Sequence, residues 1–422
     1  MGVANVHVAT RSPPPGSPAR WEILASLVGR VSSLLPIVKL SRLSPATSLP
    51  RTFFDCTFCV SLIITAAVTA AVIPEVTATK TKPPYQPRTR QTNNFFVMAS
   101  PASFRAVYKT IGSQEIDVDV YAPPLGETNK AKCPVVVCLV INIHGGAFHL
   151  GSSKMINKDQ VADCLSRGWI VIAPNHRLCP QVTLLDGPMR DCRDLLGWVY
   201  DGGLQKALDA NADGSYAVDT DHVFAFGTSS GGTLSLALGF GVDRPVAGIY
   251  DMYGPSNFTH AFWEKPLPHV AAKLPKGLTQ EFLNKVFDED PVPILGGVSL
   301  EGQAPGPPNF DDPRQAFAMT QIATGNVMNT IVPDKNWDAV DPIRNITPSF
   351  PPTFIVHGQA DTMVPLELSQ DLIEVLKEKG VKSELREIPG EEHTFAAKMK
   401  VGSQTWNLQR EGFDFLESLV KK

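Results

Sequence analysis

His222-Val-Phe-Ala-Phe226 runs into Gly227-Thr-Ser-Ser-Gly231 and then into Gly232-Thr-Leu-Ser-Leu-Ala-Leu238. The first segment has strand character, and the last has the small and aliphatic residues of a tightly packed helix. Between them lies G-x-S-x-G, in the strand–turn–helix setting where the pattern carries meaning. The flanking glycines permit a sharp turn that lifts Ser229 to the start of the following helix. There the helix dipole and the Ser230 N–H favour developing negative charge. The same five residues also occur as an ordinary Gly-rich turn, so the rest of the chain has to decide.

Upstream, the β-branched run Pro134–Ile143 (PVVVCLVINI) leads directly into His144-Gly-Gly-Ala-Phe148. A Gly-Gly turn at a strand end exposes backbone N–H groups, as an oxyanion site requires. Downstream, Asp361 follows the strand-like TFIV in His357-Gly-Gln-Ala-Asp-Thr-Met-Val-Pro365. His393 follows SELREI in Gly390-Glu-Glu-His-Thr-Phe395. A serine nucleophile needs a base, and the base needs an orienting acid. Ser229, Asp361 and His393 are therefore the expected trio, with Asp341 in an Asp-Pro turn as a weaker candidate for the acid. His357 is expected to brace the Asp361 loop, and His144 to support its turn without transferring protons.

Strand signals at 116–120, 134–143, 169–174, 222–226, 246–252 and 353–356 alternate with helical patterns at about 155–166, 187–207, 230–240 and 366–379. That alternation predicts an α/β architecture, a mostly parallel sheet flanked by helices on both faces. In such sheets active sites gather at the C-terminal strand ends, which is where all three residues fall. Trp406, Phe413, Leu416 and Val420 mark one face of a final helix. The Pro- and Gly-rich stretch from about 255 to 345 breaks the rhythm and is expected to cap the sheet.

With these motifs in place, the chain resembles the hormone-sensitive-lipase-like branch of the α/β-hydrolases, which includes many fungal esterases. The matching residues are HGGAF at 144–148, HRLCPQ at 176–181, Asp191, GTSSGG at 227–232, HGQADTMVP at 357–365 and GEEHTF at 390–395. The resemblance implies a triad of Ser229, Asp361 and His393. It also implies an oxyanion hole at Gly146, Ala147 and Ser230, with Gly145 shaping the turn. It further implies an Arg177–Asp191 ion pair beneath the site. The sequence departs from that family at Ala147, where a third glycine is usual and a negative φ would be needed. His176 and Gln181 also stand in place of the usual Tyr and Glu. The 132 residues between Ser229 and Asp361 make an unusually long span, and the excess lies in the 255–345 insertion. Phe148, Met252 and Trp263 are expected to wall a mostly apolar acyl pocket.

The expected reaction is serine-mediated cleavage of a carboxylic ester in a small molecule, with no metal or organic cofactor. A thioesterase and an amidase such as a formamidase would use the same trio, and spacing does not separate them. A prolyl-oligopeptidase-type peptidase is disfavoured by the lack of a propeller-length repeat region. A non-catalytic binding protein on this scaffold is the rival of another class, and it is expected to lose a triad member.

The net charge of −4 gives no basic footprint for nucleic acid. Seven cysteines, an odd number without zinc-type spacing, read as free thiols. Residues 1–97 differ from the rest: they hold ten Lys/Arg against three Asp/Glu, and eleven of the 36 prolines. Within them, Cys56–Ile73 is an uncharged run near the minimum for a membrane span. Three readings stand for 1–97: a membrane anchor through 56–73, an organelle signal, or an upstream extension of the gene model with Met98 as the start. In the last case the protein is expected in the cytoplasm. The α/β-hydrolase domain is expected over 98–422.

Overall fold

Val135–Ile143 forms β3, the strand at the centre of the layout, in the computed structural model, which describes residues 104–125, 135–212, 214–297 and 308–420. Its nine residues are apolar apart from Asn142, and a strand buried on both faces requires this. Val137, Leu139, Ile141 and Ile143 join one apolar cluster, while Val140 joins the other. The two clusters occupy opposite faces of the sheet, as the period-two alternation of a strand dictates. Each fully buried aliphatic side chain of this kind stabilises by about 1.5–3 kcal/mol.

The sheet has eight strands in the order β1-β2-β4-β3-β5-β6-β7-β8. β1 (Phe104–Ile111) and β2 (Gln114–Tyr121) form an antiparallel hairpin, and β2 pairs antiparallel with β4 (Ile170–Pro174). From β4 onward every pairing is parallel, through β5 (Tyr216–Thr228), β6 (Gly248–Met252), β7 (Thr353–Gly358) and β8 (Ser383–Ile388). The connections carry α1 (Lys158–Ser166), α2 (Arg190–Tyr200), α3 (Gly203–Asn211) and α4 (Ser230–Leu236). α5 (Pro313–Thr324), α6 (Leu366–Glu378) and α7 (Gln404–Glu417) complete the longer helices.

Local chemistry sets the helix ends. The Asn157 side chain accepts from the N–H groups of Asp159 and Gln160 at the start of α1, and Ser403 accepts from Trp406 N–H at the start of α7. The sequence predicts one helix over 187–207, but the chain breaks between α2 and α3 at Gly202, which adopts a left-handed conformation. β5 begins at Tyr216, not His222, because β3 pairs with it twice: Val137 with Val218, then Leu139 with Val223. The intervening 219–222 bulge has no apolar alternation for a sequence reading to follow.

Between β6 and β7 lie α5 and the short helices Pro268–Ala271, Gln280–Asn284, Val327–Ile331 and Trp337–Val340. This region has two small apolar clusters of its own, one around Leu283, Val286 and Phe317, the other around Val270, Met319 and Ala323. Asp341 closes its base by accepting from the N–H groups of Asn257 (3.0 Å) and Phe258 (2.7 Å). Burial pushes the Asp341 carboxyl up to about 6, against those backbone hydrogen bonds. Its two oxygens are used in this closure, so the weaker acid candidate is a structural brace.

Among the described residues no helix is long and apolar enough to cross a membrane. The 56–73 run lies outside the described residues. Cys138, Cys164, Cys179 and Cys192 are free thiols.

Candidate active site

Three strand ends meet at Ser229. The residue follows β5 with φ 48° and ψ −123°, a conformation that L-residues adopt at a cost of roughly 1–3 kcal/mol. Ser229 N–H donates to Met252 O at the end of β6 (2.9 Å), which ties the turn to the neighbouring strand. Gly231 lets α4 approach β3: a Cβ there would stand 2.1 Å from Ile143 O and 2.7 Å from His144 O. The second glycine of G-x-S-x-G thus joins the nucleophile turn to the His144 turn.

His393 and Asp361 lie in the loops after β8 and β7, which are laced together. Gln359 N–H donates to Ile388 O (3.0 Å), and Ala360 N–H donates to Glu391 O (2.9 Å). His393 Nε2 lies 2.9 Å from Ser229 Oγ, and His393 Nδ1 lies 2.6 Å from Asp361 Oδ2. A carboxylate only accepts, so Nδ1 carries the proton and Nε2 is left to accept from the serine hydroxyl. Asp361 Oδ1 accepts from the N–H groups of Met363 (2.9 Å) and Val364 (2.8 Å). Burial alone would raise the Asp361 pKa. The charge of His393 and hydrogen bonds from His357 and His393 outweigh it and hold the group well below the usual carboxylate range.

His357 braces this loop. Its Nδ1 lies 2.7 Å from Ser369 Oγ, and its Nε2 lies 2.8 Å from Val364 O. His144 donates from Nδ1 to Gly145 O (2.8 Å) and stacks on His176 with ring centroids 4.6 Å apart. Burial and the neighbouring His176 lower its pKa to about 3 despite the Gly145 contact, so the ring stays neutral. His176, the departure from Tyr, is therefore the stacking partner of that support. Arg177 and Asp191 pair through Nε (3.0 Å) and Nη2 (2.8 Å), and Lys109 Nζ joins the same carboxylate.

At the oxyanion turn, Gly146 has φ 128°, and a Cβ there would meet Leu150 O at 2.2 Å, so only glycine fits. Gly146 O accepts from the N–H groups of His149 (3.1 Å) and Leu150 (2.9 Å). Among the described residues no hydrogen bond occupies the N–H of Gly146 or Ala147. Ser230 opens α4, where an N–H has no partner within the helix. The condition of a negative φ at Ala147 is not met: Ala147 has φ 52° and Phe148 has φ 66°. Gly145 contributes its carbonyl to His144, and it does not line the pocket.

A pocket opens over this centre, lined by Gly146, Ala147, Ser229 and His393 at its base. Phe148, Phe262, Trp263, Leu267, Ile322 and Met328 give it apolar walls. Phe148 and Trp263 are among the lining residues. Met252, expected in the same wall, is not: it lies on β6, fully buried in the core, and only its carbonyl reaches the site.

Two features escaped sequence reasoning. Tyr253, also at positive φ, packs its ring 4.9 Å from that of His393. Arg314 on α5 is almost fully buried and donates to His149 O (2.8 Å), Cys179 O (2.6 Å) and Gln181 Oε1 (2.7 Å), and it pairs with Glu289. It fastens the insertion to the oxyanion loop. Gln181 Nε2 in turn donates to Glu289 (2.8 Å), a bridge that the usual Glu would not make. No motif marks Arg314, because three of its four partners come from segments more than 130 residues away. A Cys138, Asp219 and His222 group also has donor atoms within 4.8 Å of one another. It lies toward the N-terminal end of β5, away from Ser229, and Cys138 is too far in sequence from Asp219 and His222 for a motif.

Comparisons with known proteins agree with this architecture. A family model described as BD-FAE matches residues 118–287, and the prolyl oligopeptidase family model matches residues 311–422. Among solved structures, a Staphylococcus aureus Mu50 protein of unknown function aligns over 75% of this chain and 99% of its own, with a TM-score of 0.52 and 21% identity. The esterase Est2 of Thermogutta terrifontis aligns over 75% of this chain and 91% of its own, with a TM-score of 0.45 and 18% identity. Each family model covers less than half of the chain, and with the Staphylococcus aureus structure they agree with an α/β-hydrolase fold.

Curated relatives include the non-reducing polyketide synthase Preu6 of Preussia isomera, 27% identical over 73% of this chain. The non-reducing polyketide synthase ausA of Emericella nidulans is 26% identical over 74% of it. The chain spans 14% of the length of each of these relatives.

Proposed function

We propose that Ser229, His393 and Asp361 cleave an acyl ester through a covalent acyl-serine. The observation that carries this reading is the continuous contact from Ser229 Oγ to His393 Nε2 and from His393 Nδ1 to Asp361 Oδ2, at 2.9 and 2.6 Å. His393 takes the serine proton as Oγ attacks the carbonyl carbon. The N–H groups of Gly146, Ala147 and Ser230 receive the oxyanion, and each such donor is worth roughly 3 kcal/mol. His393 then protonates the leaving atom, and water repeats the sequence to release the acid.

The walls favour an apolar or aromatic acyl group. Similarity to a segment of non-reducing polyketide synthases supports a polyketide-like acyl chain and a place in secondary metabolism. It also supports a thioester as a second substrate form for the same residues. The test is hydrolysis of p-nitrophenyl butyrate by the full chain and by Ser229→Ala. The wild type is expected to turn over, and the variant to lose all but roughly a millionth of kcat. An inert wild type, or an unimpaired variant, would overturn the reading.

A further inference from the structure

A second groove reaches the same histidine from the other side. It shares only Met363 and His393 with the acyl pocket, and neither Ser229 nor the oxyanion turn lines it. The two meet at Met363 and His393, and beyond that point a wall divides them. Leu267 faces the acyl pocket, and Val270, one helical turn on, faces the second groove; on α5, Ile322 and Met319 divide in the same way. Val270, Met319 and Met363 pack together within this wall. His269 Nε2 approaches Thr362 Oγ1 at 3.4 Å and ties the wall to the Asp361 loop.

Acyl transfer gives the two sides different tasks. The carbonyl carbon bonds to Ser229 Oγ, so the acyl chain must lie on the side of the serine and the oxyanion turn. The bond to the leaving atom breaks, and that atom takes the proton that His393 Nε2 removed from Ser229. A leaving group on the side of His393 faces the second groove, which His393 lines. The chemistry of that groove differs from the apolar pocket: Lys273, Lys398 and His269 line it, with Glu392 as the one acidic side chain among the described residues. Lys273 and Lys398 are solvent-exposed, and their ammonium groups can pair with an anion without first losing a buried partner.

We propose that this groove is the leaving-group subsite and that it selects an ester or thioester whose leaving group carries a phosphate. The assignment rests on Ser229 and His393 acting as the acyl-transfer pair. The test compares S-butyryl-4′-phosphopantetheine with S-butyryl-pantetheine, which differ by one phosphate, with p-nitrophenyl butyrate as a reference. Exposed charge pairs are each worth only a few-fold, so two lysines should favour the phosphorylated thioester roughly tenfold in kcat/KM. Lys273→Glu with Lys398→Glu is expected to bring that ratio to one or below, mainly through KM. The same change at Lys377, on the exposed side of α6, should leave the ratio as in wild type. Repeating the pair with butyryl-coenzyme A and with a butyryl-loaded carrier protein separates a free from a protein-bound phosphate, and a preference for either supports the subsite. A wild-type ratio near one, or a ratio untouched by the double variant, overturns the subsite while leaving the hydrolase intact. Inertness toward every substrate overturns the hydrolase reading and the subsite with it.

Discussion

His357 Nε2 lies 3.2 Å from Asp361 Oδ2, the same oxygen that receives His393 Nδ1–H. Because Val364 O only accepts, His357 Nε2 carries its proton and shares it between that carbonyl and the carboxylate. The orienting acid is thus held by a second, fully buried imidazole. Replacing His357 by Ala frees the carboxylate to rotate away from His393. A fall in kcat of roughly tenfold or more is expected, with KM little changed, from steady-state kinetics on p-nitrophenyl butyrate.

Ala147 has a left-handed backbone that glycine adopts without a Cβ penalty. Ala147→Gly removes that strain at the expense of a more flexible unfolded chain. The expected net effect is stabilisation by roughly 1 kcal/mol, read as a higher urea midpoint. A lower midpoint would mean that the Ala147 methyl contributes packing that outweighs its backbone strain.

Arg314 is a buried cation with four partners, so losing it strands Glu289 and two carbonyls. Arg314→Ala is expected to destabilise the fold by about 3 kcal/mol. Chemical denaturation measures this, and an unchanged midpoint would show that the insertion is held to the oxyanion loop by other contacts.

Asp251 lies buried against Gly232 and Gly254, beneath the start of α4. Its Oδ1 accepts from Gly254 N–H (2.9 Å), while Oδ2 has no partner among the described residues. Burial pushes its pKa up to about 7, only partly offset by that hydrogen bond. The folded chain therefore keeps this proton up to about pH 7, whereas an unfolded aspartic acid loses it near pH 4. The Asp251 contribution to stability is full below about pH 4 and declines as pH rises through 7. Asp251→Asn preserves the Gly254 contact and should flatten this slope, making the variant more stable than wild type at pH 8.

Much of the catalytic arrangement was legible because each residue sits in a local pattern next to a strand end. Ser229 lies between glycines that close backbone approach demands, and Asp361 and His393 each follow a short apolar run. The two faces of the sheet were legible for the same reason, since a continuous run such as Val135–Ile143 has few other stable arrangements. What stayed hidden depends on contacts between distant segments. Met252 does not reach the pocket, because strand alternation turns its side chain into the core. Tyr253 meets His393 only across separate strand ends, and the Arg314 contacts and the second groove arise only when the 255–345 insertion folds back over them; no local period encodes either path.

The most direct test of the central claim is the site of covalent labelling by a fluorophosphonate. Intact mass and peptide mapping of the full chain should show one adduct, on Ser229, and Ser229→Ala should show none. An adduct on another residue, or labelling and turnover that persist in Ser229→Ala, would contradict the account.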